Sequence, residues 1–240
     1  MFLELKNQLF FSAILAVLAL VSVNLLLSRI SNDKTQKDIT DLMSIIEPKS
    51  DNFANFTKAQ DAIDRCIKKS IHEQGGVEVQ IIGVSMLRSW ILIRDIIAEY
   101  NGDNQPRKNL RFEFAVLDDT WKRENGLWEG RTNNTDREIA LLIAQKKTLV
   151  DNGKLEISVF HYAHKPSIVG ILINNQDFFK GICEFIREDG HFVLRVAENP
   201  WERFRALDEN GRREISQFIH LFDWYKSNCL ESVHTQTLTQ

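Results

Sequence analysis

The chain is short of the residues that usually announce a compartment, a partner or a reaction. Its 240 residues hold three cysteines, Cys66, Cys183 and Cys229, too few and too scattered for a disulfide framework or a zinc knuckle. Reduced thiols packed in a core fit a cytoplasmic setting. Neither sign of charge dominates, since 30 Lys and Arg stand against 33 Asp and Glu for a net charge of -3. That balance gives no global attraction to nucleic acid or anionic lipid. No P-loop, dinucleotide fingerprint or HExxH zinc site occurs, nor any internal repeat or low-complexity tract. Neither a cofactor nor a bound metal is expected.

What is present starts with one long hydrophobic run. Leu9 to Ser28 carries no charged residue, and twenty helical residues span roughly 30 Å, the thickness of a bilayer's hydrocarbon core. The run predicts an uncleaved transmembrane helix over 8–29. A cleaved secretory signal needs a basic start, a shorter apolar core and a small-residue cleavage site. Here Lys6 is balanced by Glu4, and the stretch from Leu25 to Ile30 offers no such site. Arg29, Lys34 and Lys37 follow the span, against Lys6 and the amino terminus before it. The positive-inside bias therefore predicts a single-pass inner-membrane protein whose C-terminal domain is cytoplasmic. Ser12, Ala16 and Ala19 either let another helix approach or are lipid-facing filler.

Residues 30–56 read as a juxtamembrane linker, polar and interrupted by Pro48, with Leu42, Met43, Ile45 and Ile46 forming a short amphipathic turn. From 57 to 228 the pattern becomes regular. Ala59, Ala62, Ile63, Cys66, Ile67 and Ile71 recur at helical steps, with Thr57 as cap and Gly75-Gly76 as stop. Val77 to Val84 predicts a strand, Met86 to Tyr100 a helix, Leu110 to Leu117 a second strand, and Thr135 the cap of a helix running to Val150. Lys154 to Tyr162, Ile168 to Asn174 and His191 to Ala197 read as further strands. Asn199-Pro200 has the chemistry of a helix start, placing Trp201, Phe204 and Leu207 on one side until Asn210-Gly211 breaks the element. Ile215, Phe218, Ile219 and Phe222 mark a last amphipathic helix, with Trp224 taken as core, and 229–240 reads as a flexible tail. Strands alternating with helices predict an α/β class, a mixed sheet flanked by helices.

The run Val77-Glu-Val-Gln-Ile-Ile-Gly-Val-Ser85, the strand ending at Asp118, the stretch Phe160-His-Tyr-Ala-His-Lys-Pro-Ser-Ile-Val-Gly-Ile-Leu-Ile-Asn174 and the helix ending Phe222-Asp-Trp-Tyr225 follow a familiar order. In that order residues 57–228 resemble the non-catalytic phospholipase D-like domain attached to bacterial regulatory and signalling proteins. Catalytic members of that superfamily use a His-x-Lys motif and an orienting Asp. Here His161 is followed two places later by Ala163, His164 by Pro166, and Asn174 and Asn175 stand where the orienting carboxylate would be expected. The resemblance implies a degenerate domain, and a homodimer, since single-motif relatives pair to complete one site.

Five residues are candidates for a ligand site. Ser85, Arg88, Asp118, His164 and Lys165 follow strand ends, where open α/β sheets bind ligands, and would suit a small anionic ligand or a protein partner. The alternative is ordinary capping by Ser85 and a turn at Asp118. His161 and His164, an odd number of residues apart, fall on opposite faces of an extended strand, which argues against a shared metal. Trp121 and Trp128 lie among Lys122, Arg123 and Arg131, a pattern able to stack bases, but Glu124 and Glu129 dilute the field and nucleic acid is not expected. Arg203, Arg205, Arg212 and Arg213 are likewise balanced by acids. The expected function is a membrane-anchored sensor or binding protein. The alternatives are a diverged phosphodiesterase or nuclease using His161 or His164, and a membrane effector of a bacterial antiviral-defence or stress system.

Overall fold

A mixed sheet organises the residues that the computed structural model describes, 52–100, 109–124, 131–188 and 191–234. The expected transmembrane span, most of the linker and Trp128 lie outside them. Among the described residues no helix is long and apolar enough to cross a membrane.

Three strands at the centre are parallel and in register: β2 (Val77–Gly83), β3 (Leu110–Leu117) and β4 (Leu155–Tyr162). Their second halves are largely buried on both faces, which suits strands covered on two sides. Beyond β2 the pairing turns antiparallel through β5 (Ile168–Ile173), β6 (Asp177–Ile182), β9 (Trp201–Arg205) and the short β1 (Asn52–Phe53). At the other side β10 (Glu231–His234) pairs antiparallel with β4, which makes a sheet of eight strands among the described residues. A separate hairpin joins β7 (Glu184–Glu188) to β8 (His191–Arg195).

The helices divide between the two faces. On one, α1 (Phe56–Gln74) and α2 (Leu87–Glu99) pack through contacts such as Phe56 on Trp201 and Trp90 edge-on to Phe114. Next to them lie α3 (Asp119–Glu124), α4 (Arg131–Gln145) and α5 (Lys147–Asp151). The opposite face belongs to α6 (Glu209–Ser227), whose Phe218 and Phe222 meet Phe178 and Phe160. Local chemistry sets the helix ends. Asn55, rather than Thr57, caps α1 by accepting from the Lys58 amide at 3.1 Å, and Gly75 closes it at φ 79°. Asp208 caps α6 by accepting from the Gly211 amide at 2.6 Å.

Several expectations change. The helix expected from Asn199-Pro200 is strand β9, and Asn210-Gly211 begins α6 instead of breaking a helix. Thr135 sits buried inside α4, which starts at Arg131. Trp224 is 45% exposed and is not a core ring. The stretch read as linker supplies β1, and the stretch read as tail supplies β10.

Candidate functional site

The parallel register brings the ends of β2, β3 and β4 to one edge of the sheet. There the Asp118 amide donates to the Tyr162 carbonyl at 2.8 Å, and the Tyr162 hydroxyl donates to the Gly83 carbonyl at 3.0 Å. All five candidate residues follow this edge, but their side chains do different work. Ser85 and Arg88 line a cavity. Asp118 instead accepts from the Thr120 and Trp121 amides at 2.8 and 3.2 Å, capping α3, which is its alternative reading. His164 lies against the Trp224 ring, centroids 5.0 Å apart. Lys165 places Nζ 4.3 Å from the centre of the Phe185 ring. Ser85 does not cap α2, whose N-cap is Met86, in helical conformation and without a side-chain cap bond.

The cavity measures about 140 Å³ and lies between the starts of α1 and α2, the end of β2, strand β5 and the chain segment entering β9. That is where the sheet switches from parallel to antiparallel pairing, since β2 has β3 on one side and β5 on the other. Its walls are buried and apolar, with Phe56, Ile81, Val169, Ile171 and Trp201 each less than 5% exposed. Its mouth is polar. Arg88 and Glu198 line it from opposite elements, half or more exposed, with Nη2 and Oε1 3.7 Å apart. The segment carrying Glu198 is held firmly. Phe56 donates its amide to the Ala197 carbonyl at 2.9 Å, Trp201 Nε1 donates to Val196 O at 3.3 Å, and Asn199 Nδ2 donates to Arg195 O at 3.1 Å. Gly181 admits the Trp201 ring, because a Cβ there would stand 2.6 Å from the indole.

A second polar group lies at the same edge, under α3 and α4. Buried His161 has Nε2 3.5 Å from Asp136 Oδ2, and buried Lys122 pairs with Asp119 at 3.0 Å. Burial holds the Lys122 ammonium below its usual range, although Asp119, Asp118 and Asp136 oppose that shift. Nearby, burial pushes the Cys183 thiol up to about 12 against the opposing charge of Lys165, the environment of an inert thiol. Among the described residues no group of three or more His, Cys, Asp or Glu could hold a metal ion. Asn174, at the position where an orienting carboxylate would be expected, is a turn residue at the far end of the sheet. It adopts φ 51° beside Asn175 at φ 55°, and its Oδ1 accepts from the Glu78 amide at 2.7 Å.

Sequence reasoning reached Ser85 and Arg88 through the strand-end rule, but missed Glu198, Trp201 and the pairing of His161 with Asp136. Glu198 and Trp201 were hidden because their segment was read as a helix start. Asp136 carried no signal beyond a helical position.

No family model matches the chain, and no curated protein matches it. Among solved structures it is distantly similar to a phosphatidylserine synthase from Haemophilus influenzae Rd KW20, at 7% identity and a TM-score of 0.42. The superposition covers 79% of this chain and 40% of the synthase, so the chain spans less than half of that protein's length.

Proposed function

We propose that this chain is a membrane-anchored binding protein whose α/β domain, a catalytically degenerate phospholipase D-like domain, receives a small ligand. The cavity at the end of β2 carries the reading. Buried apolar walls with a few polar groups at the mouth are the anatomy of a small-molecule site, and the crevice outside a strand's carboxyl end is where open α/β sheets bind ligands. The volume of about 140 Å³ compares with about 150 Å³ for an apolar protein cavity that takes up benzene. Phosphodiester chemistry fits less well. It needs a nucleophile, a charge clamp and an orienter in one place. His161 is buried against Asp136 while His164 lies beyond the strand against Trp224. The charge-free run Leu9 to Ser28 supports a single-pass anchor in a bacterial inner membrane, and Arg29, Lys34 and Lys37 after it support a domain on the cytoplasmic side, where pairing of two copies would serve assembly.

Calorimetry on the full chain in nanodiscs, with the heat of empty nanodiscs subtracted, tests the cavity: benzene should bind, and Ala197→Phe, which adds a ring at the cavity lining, should abolish the remaining heat. Absence of benzene binding to the unmodified chain would overturn the reading. The same preparation should leave bis(p-nitrophenyl) phosphate intact; turnover that disappears in His161→Ala or His164→Ala would make the protein a phosphodiesterase instead. A C-terminal reporter fusion should read out as cytoplasmic, and a periplasmic readout would refute the topology.

A further inference from the structure

Among the described residues lining the cavity, Arg88 and Glu198 alone carry charge, and the two charges are opposite. Arg88 stands in the first turn of the thirteen-residue α2, whose partly positive amino end has no side-chain cap. Glu198 approaches from the segment before β9. Their side chains are 53% and 64% exposed, so they sit at the mouth, while the walls beneath them are buried. A pair this long and this exposed contributes little by itself, and a ligand can part it at small cost.

The charge of the ligand follows from what each type would leave behind. A simple carboxylate would occupy Arg88 and set Glu198 against a second negative charge. A phosphate would do so more strongly, with one guanidinium to meet two charges. A simple amine would pair with Glu198 and repel Arg88. An uncharged molecule would use the walls and ignore the mouth. A ligand carrying both charges on one small head satisfies both residues, with two charge-assisted contacts in place of one stretched pair. Its apolar part then has a cavity of about 140 Å³ walled by Ile81, Val169, Ile171 and Trp201, enough for an isobutyl or phenyl group by comparison with a benzene-binding cavity of about 150 Å³.

We infer that the cavity takes a zwitterionic α-amino acid with an apolar side chain of leucine or phenylalanine size, its carboxylate on Arg88 and the start of α2, its ammonium on Glu198. The inference rests on the cavity being a ligand site. Ser85, three residues before Arg88, also lines the cavity, whereas the Ser89 hydroxyl already donates to the Met86 carbonyl at 3.1 Å.

The test is titration calorimetry on the full chain in nanodiscs, with the heat of empty nanodiscs subtracted, using L-leucine, L-phenylalanine, 4-methylpentanoate, 3-methylbutylamine and benzene. One of the amino acids should bind at least tenfold more tightly than either singly charged analogue. Arg88→Ala and Glu198→Gln should each weaken that binding tenfold or more while benzene binding is retained, which shows the cavity intact in both variants. If benzene binds but neither amino acid outdoes 4-methylpentanoate, the zwitterion inference falls and the cavity reading stands. If benzene does not bind the unmodified chain, the cavity reading falls and the inference with it.

Discussion

Trp90 and Trp224 both sit on amphipathic helices, yet only one is a core residue. Trp90 is fully buried, edge-on to Phe114, with Nε1 donating to Glu138 at 2.9 Å. Trp224 is 45% exposed, since the neighbouring Tyr225 takes the covered position and stacks on Tyr162 at 4.0 Å between centroids. Helical periodicity tolerates either neighbour inward, so this choice was not legible from spacing. Trp90→Ala should cost about 3–5 kcal/mol through lost burial and a cavity, and Trp224→Ala less than half of that. Urea denaturation of the two variants checks the order, and the reverse order would refute the assignment. Glu113 makes a second residue-scale case. Burial pushes its carboxyl up, but hydrogen bonds from Lys226 at 2.8 Å and Gln80 at 3.0 Å, with the charge of Arg111, outweigh burial and leave it below the usual value of 4.5. A depressed folded value means stability that is present above the unfolded pKa and lost as pH falls through the folded one. Glu113→Gln should therefore be less stable than the unmodified chain at pH 7, with the gap narrowing below pH 4.5. A gap independent of pH in denaturation series would show that the ionised form is not what the site stabilises.

Elements were legible where the apolar residues keep a clean period or fill a short bounded run, and illegible where their spacing suits a helix and a strand alike. The face of α1 and the runs of β2, β3 and β4 stood out because apolar residues recur at a clean period or fill a short bounded run. The misread element, β9, carries Trp201 and Phe204 three residues apart, a helical interval. In a strand that interval places the rings on opposite faces. Here both faces are covered, so Trp201 packs on Phe56 while Phe204 stacks on Phe178. Pro200 and Asn199, which suit a helix start, serve a strand entry equally well. The error reached the candidate site, because Glu198 and Trp201 belong to this segment. The helix that does form begins after Asp208, and that cap can be tested on its own. Asp208→Ala should lower stability by about 1 kcal/mol, a fall of roughly 2–4 °C in Tm for a domain of this size. An unchanged Tm by circular dichroism would mean that the 2.6 Å bond to Gly211 does not set the start of α6. Gly211 adds a stricter constraint, since a Cβ there would run into the Arg205 carbonyl, so Gly211→Ala should destabilise more than the cap variant.

At the scale of the whole sheet, the edge strands are β1 and β10. β10 shields β4, pairing Glu231–His234 with Ser158–His161, and the Leu230 amide adds a bond to the His161 carbonyl at 2.8 Å. Beneath that cover, Ile157-Ser-Val-Phe-His-Tyr162 holds β-branched and aromatic residues with neither Lys, Arg, Asp, Glu nor Pro to interrupt them, the composition that invites pairing with another chain when an edge is bare. The parallel partner β3 on its other side anchors β4 firmly, so losing β10 should expose the edge without unravelling the sheet. Deleting residues 231–240 should therefore leave the circular dichroism spectrum nearly unchanged while the chain self-associates in a concentration-dependent way. Sedimentation velocity in detergent, run beside the full chain, measures this. A truncated chain that keeps the full chain's association state across the same concentrations would show that β4 needs no cover. A truncated chain that loses its secondary structure would show that β10 closes the fold rather than guarding its edge.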